Sequence, residues 1–127
     1  MEFSVAGGEK FESKGYLKLH VTAGADSILE LANYDAAHHE DFPSIYLRAL
    51  TPARSLAELV NKPLPVALAL QVDEAGHLLH NQPPQRVELA ITEIDGKNVR
   101  GRFSGQVHDI DLGGNGAIVG RFQAVIE

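Results

Sequence analysis

Val87-Glu88-Leu89-Ala90-Ile91-Thr92-Glu93-Ile94-Asp95-Gly96-Lys97-Asn98-Val99-Arg100-Gly101-Arg102-Phe103 decides the fold. Apolar and polar residues alternate on both sides of Asp95-Gly96, the period of strands with one buried face. A three-residue loop Ile94-Asp95-Gly96 would put glycine where a left-handed backbone is needed. That register sets Glu93 opposite Lys97, Ile91 opposite Val99, Glu88 opposite Arg102 and Val87 opposite Phe103. Apolar then meets apolar, and opposite charges meet on or beside the other face.

Outward from this hairpin the same period continues. Gly101, Phe103, Gly105 and Val107 face inward, with Arg100, Arg102, Gln106 and His108 outward. A last strand follows through Ile118, Gly120, Phe122, Ala124 and Ile126, and inward glycines signal close sheet packing. Upstream, Phe3 and Val5 alternate with Glu2 and Ser4 before a Gly7-Gly8 turn. Leu17, Leu19 and Val21 oppose Lys18, His20 and Thr22, and Ser27 to Tyr34 is the antiparallel return. Ile45, Leu47 and Ala49 form the inner face of another strand. The apolar run Leu64 to Val72 reads as a strand buried on both sides, with a short return at Leu78-Leu79.

One segment asks for a helix, near residues 52–60. Thr51-Pro52 supplies an N-cap with proline at the first position, and Ser55 to Glu58 an alternative capping box. Leu56, Leu59 and Val60 form its apolar stripe, and Asn61-Lys62-Pro63 stops it. Two or three turns cannot nucleate alone, so the helix rests on the sheet as a plug over one end. The fold class is therefore all-β, mainly antiparallel, a sandwich or barrel with one short helix. No linker divides residues 1–127, which read as a single β domain.

The pattern Val87 to Ile94, then Val99-Arg100-Gly101-Arg102-Phe103-Ser104-Gly105, then Gly120-Arg121-Phe122, resembles a family of small bacterial cell-envelope lipoproteins. Phe3-Ser4-Val5-Ala6-Gly7-Gly8 is similar to its opening strand and turn. The resemblance implies a sandwich or barrel of about eight strands and carries over no functional residue. The family's lipobox cysteine has no counterpart here, because the chain has no cysteine.

Composition narrows function by exclusion. The 127 residues include 17 acidic and 11 basic ones, a formal charge of −6. Such a chain repels a phosphate backbone, so nucleic acid is not an expected partner. Without cysteine there is no disulfide, thiolate metal site or cysteine nucleophile. No apolar run approaches the ~20 residues of a membrane helix, so no membrane insertion is expected. The start Met1-Glu2-Phe3-Ser4-Val5 lacks the features of a signal peptide. The sequence as written reads as cytoplasmic, with the cell envelope the alternative if a signal segment has been removed.

Two segments concentrate polar chemistry. His38-His39-Glu40-Asp41 is the densest group of metal-ligand types; no cofactor is expected, and a divalent metal is the alternative that this group could hold. The plainer reading is a solvated loop. Tyr34 and Phe42 flank the cluster, so Tyr34, His38, His39 and Phe42 are candidate ligand-binding residues. Asp109-Ile110-Asp111 begins like a calcium loop, but Gly113 and Gly120 occupy positions where an EF-hand needs oxygen ligands. His77, His80 and Asp73 lie near one turn. Arg100, Arg102 and Arg121 could form a basic patch, which Glu88 and Glu93 would partly neutralise. No serine elbow or carboxylate pair stands out, and catalytic residues are assigned to none. The leading reading is a noncatalytic module that binds a small molecule or a protein. The alternatives are a metal-binding protein or metal-dependent enzyme built on His38 to Asp41, and a homo-oligomer pairing through an edge such as the N-terminal strand.

Overall fold

In the computed structural model, which describes residues 1–38 and 42–127, ten strands form one sheet that closes on itself. They are β1 (Glu2–Val5), β2 (Phe11–Glu12), β3 (Gly15–His20), β4 (Ser27–Ala32), β5 (Ser44–Thr51), β6 (Leu64–Gln71), β7 (Leu78–His80), β8 (Val87–Asp95), β9 (Asn98–Asp109) and β10 (Asn115–Ile126). The closed circuit runs β10–β3–β4–β5–β6–β8–β9 and back to β10, a seven-stranded barrel. β7 continues the place of β8 between β6 and β9, and β1 and β3 share one edge of β10. Every pairing between these strands is antiparallel except β3–β10, so the sheet is mixed. Closure leaves few free edges; β1 itself is flanked by β10 and β2.

The lumen is a packed core. Phe3, Leu17, Ile45, Leu47, Leu70, Leu89, Ile91, Phe103 and Ile118 are fully buried there. Each lies at an alternate position of its strand, as the pleat requires. The expected inner faces of β5, β9 and β10 are the observed ones. Two inward glycines make room for rings: a Cβ on Gly120 would lie 2.2 Å from the Phe103 ring, and one on Gly101 2.5 Å from the Phe122 ring.

Three local expectations are corrected. The first concerns the hairpin, which forms with a two-residue loop, Gly96-Lys97, and Asp95 opposite Asn98. Glu93 therefore faces Arg100, and Leu89 faces Phe103, with a β-bulge between Ile91 and Glu93. The bulge places Thr92 outside the ladder, its hydroxyl donating to the Arg100 carbonyl at 3.2 Å. One extra residue lets Ile91 and Ile94 face the same side although three positions apart. Gly96 still supplies the left-handed turn residue, at φ +59°.

Second, the helix is a single 3-10 turn, Leu56–Leu59, with Ser55 as N-cap. The Glu58 carboxylate accepts the backbone N–H groups of Arg54 and Ser55 at 2.7 and 2.8 Å. The turn cannot lengthen because Val60 is claimed by the sheet, bridging Ile91, and the Asn61 N–H donates to the Ile91 carbonyl. Leu59 is buried, as a plug resting on β8 should be. Thr51 instead ends β5, its hydroxyl accepting from the Ala53 N–H.

Third, β6 is buried on one face only. Val66, Leu68 and Leu70 point inward, while Pro65, Ala67 and Ala69 are exposed. A strand in a barrel wall has solvent on its outer side, and alanine and proline there mimic a doubly buried run.

Candidate functional site

On the outer wall of β3–β4–β5 the pleat builds a recess. Cross-strand register sets Tyr16, Ala32 and Tyr46 in one row, and Lys18, Glu30 and Arg48 in the next. The alanine methyl makes a low floor between two phenol rings. The result is a groove of about 420 Å³ lined by Lys18, His20, Glu30, Tyr34, Asp35 and Glu127 together with that tyrosine–alanine row. All three tyrosines of the chain line it.

Glu30 is its polar centre. Its two carboxylate oxygens are engaged separately, one by the His20 Nε2 and the other by the Tyr46 hydroxyl, which donates. Both partners are diagonal neighbours across the ladder, within reach of long side chains. The Tyr46 hydrogen bond, then that of His20, hold Glu30 below the ordinary carboxylate range against the opposing effect of burial. Burial, and next the hydrogen bond to Glu30, push Tyr46 up to about 12.

This gives a testable sign. A phenol whose folded pKa is raised contributes stability that is fully present below pH 10 and is lost as pH climbs through about 12. Tyrosinate absorbance should show the late ionisation of the Tyr46 phenol. Glu30→Gln should make that phenol ionise at lower pH, and an unchanged titration would contradict the contact.

At the groove's far side the carboxyl groups of Asp35 and Glu127 stand together and influence each other's ionisation. Burial, followed by the hydrogen-bonding and charge of Asp35, raises Glu127 above its ordinary value. Asp35 Oδ1 also accepts the backbone N–H groups of Ala37 and His38, at 3.0 and 2.7 Å, and meets His38 Nδ1 at 2.5 Å. The His38 ring in turn stacks on Tyr16, centroids 4.9 Å apart. Behind the groove, buried Asn33 joins the two ends of the β4–β5 connection. Its side-chain amide donates to the Pro43 carbonyl, and its oxygen accepts the Ile45 N–H.

Of the residues expected to bind a ligand, Tyr34 lines the groove and His38 stands at its rim. Phe42 is exposed and does not line it. His39 lies outside the described residues, as do Glu40 and Asp41, so of the His38-His39-Glu40-Asp41 metal quartet only His38 is placed. Tyr16, Lys18, His20, Glu30 and Tyr46 were not singled out from sequence. Their signal was present in the outward set of an alternating strand, Tyr16, Lys18 and His20, but the register that brings Glu30 and Tyr46 beside it is a tertiary fact.

Of the three outward arginines, Arg100 pairs with Glu93 at 3.3 Å and Arg121 with Glu2 at 3.4 Å, while Arg102 stands opposite Arg121 in the β9–β10 ladder. A second histidine group gathers where β7 meets β9. His80 and His108 are opposite each other, with rings 5.9 Å apart, and His77 Nε2 lies 2.7 Å from Asp109 Oδ2.

Fold and groove together define a class, a closed mixed β-barrel with a filled lumen and a tyrosine-lined recess on its outer wall. No family model, curated protein or solved structure matches the chain. No helix among the described residues is long and apolar enough to cross a membrane.

Proposed function

We propose that the protein is a noncatalytic binding module whose outer groove receives a small organic cation. The observation that carries this reading is the lining itself, three phenol rings with the carboxylates of Glu30, Asp35 and Glu127 against a single lysine, Lys18. Electron-rich ring faces and carboxylates favour a positively charged guest, and partial burial strengthens both attractions. An ammonium group donating to both Asp35 and Glu127 would relieve the repulsion between these two neighbouring carboxylates. The filled barrel lumen directs small-molecule binding to the outside.

The chain has no tryptophan. Its intrinsic fluorescence therefore comes from the three tyrosines of the groove and reports occupancy directly. Titration with choline, and separately with spermidine, should give a saturable fluorescence change, and glucose and acetate should give none. Asp35→Asn should weaken the response. No saturable change with either cation, or one with glucose or acetate alone, would sink the proposal.

A further inference from the structure

We propose a second, independent site: His77, Asp109 and Asp111 bind one divalent transition ion of the zinc class. One ligand atom from each lies within 4.8 Å of the others, although 32 positions of chain separate His77 from Asp109. An ion sitting about 2.0–2.2 Å from an imidazole nitrogen and from carboxylate oxygens needs small rotations of these side chains. Asp111, the exposed member, has the most room to make them.

The ligands are already oriented by the backbone. Asp109 Oδ1 accepts the N–H groups of Asp111 and Leu112 at 3.0 and 2.9 Å, which turns Oδ2 toward His77. Asp111 Oδ2 accepts the Leu78 N–H at 2.7 Å, leaving its other oxygen for a further partner. Holding one oxygen of a carboxylate fixes the direction of the other, the arrangement that orients metal ligands generally. The donor set identifies the ion class. Calcium and magnesium take oxygen ligands, whereas imidazole with carboxylates suits zinc and its first-row neighbours. Three protein ligands leave a position for water.

Such an ion would clasp the β6–β7 turn to the β9–β10 loop. These two are otherwise joined there by the Leu79–Asp109 ladder pair and by the Ile110 N–H donating to the Leu78 carbonyl. It also explains the Asp-Ile-Asp spacing that begins like a calcium loop and then fails as one. The third ligand comes from a different hairpin.

Calorimetric titration of the tag-free chain with zinc chloride tests the site. One ion per chain should bind, and zinc should raise the thermal midpoint through linkage. His77→Asn, and separately the exposed Asp111→Asn, should weaken zinc by more than about tenfold, the scale on which even groups that merely orient ligands act. A His38→Asn/His39→Asn chain should bind as the parent does. No zinc binding by a folded parent overturns the proposal. So does parental affinity in both His77→Asn and Asp111→Asn, or binding that is lost in the His38/His39 variant and kept in the other two.

Discussion

Phe103→Ala is expected to lower the unfolding free energy by about 3–5 kcal/mol. The ring is 1% exposed and belongs to β9, which at this position is paired on both sides, with β8 and with β10. Leu89 and Gly120 are its register neighbours, and the Phe3 ring lies 6.5 Å away by centroid. Collapse into the vacated space is limited, because the surface beneath the ring is the Gly120 backbone, held in the ladder by β1 and β9. Cavities that cannot relax cost most. Urea unfolding should show a lower midpoint at unchanged slope, the mark of altered stability rather than altered compactness. A loss under about 1 kcal/mol, typical of a surface position, would mean that β9 does not present Phe103 to the core.

Phe103 was readable in the sequence for the same reason that most of the barrel was. Period-two alternation reports a local property, the side of the pleat on which each residue stands, and closure into a barrel preserves it. The inner faces through Ile45, Leu47 and Ala49, and through Ile118, Phe122 and Ala124, follow from that alone. What alternation does not carry is the partner. Matching charges across Asp95-Gly96 favoured Glu93 with Lys97, yet an exposed pair of this kind is worth only a few tenths of a kcal/mol and cannot set register. Burial of Leu89, Ile91 and Ile94 on one side can, once Thr92 is allowed out of the ladder. The shift of apolar residues from odd to even positions between Ile91 and Ile94 was the visible trace of that bulge.

The groove was less legible. Tyr34 flanks a dense polar run that His38 opens, and both stand at or beside the recess. Its chemistry, however, lies in Glu30 held between His20 and Tyr46, residues from three strands whose outward faces look like ordinary solvent-facing polarity. The floor depends on Ala32, whose small side chain matters only because tyrosines flank it in register. The parallel β3–β10 pairing, which draws Glu127 toward Asp35, has no local signature at all. His77 and Asp109 likewise meet only because β7 and β9 pair. Sites assembled across strands become readable when topology is known, whereas candidates within one loop can be named from sequence alone, and of these Tyr34 lines the recess while Phe42 does not.

Gly105→Ala should destabilise the barrel by more than about 3 kcal/mol, the upper end of what overpacking usually costs. A Cβ there would lie 2.0 Å from the Arg86 carbonyl oxygen and 2.7 Å from the Val87 Cα. Both are backbone atoms, so no side chain can swing away to make room. The carbonyl is further held by the Gln106 N–H, which donates to it at 2.8 Å. Retreat of the Arg86–Val87 peptide would break that bond and pull the start of β8 away from β9. Gly116→Ala provides the contrast, since its nearest neighbour is the Ala6 Cβ at 3.3 Å, a contact that small adjustments can relieve. Thermal unfolding of the two variants should therefore separate them widely, with Gly116→Ala within about 1 kcal/mol of the parent. Equal, small effects would show that β8 and β9 do not approach this closely at Gly105. In that case the glycine would owe its place to strand twist rather than to the contact that closes the barrel wall.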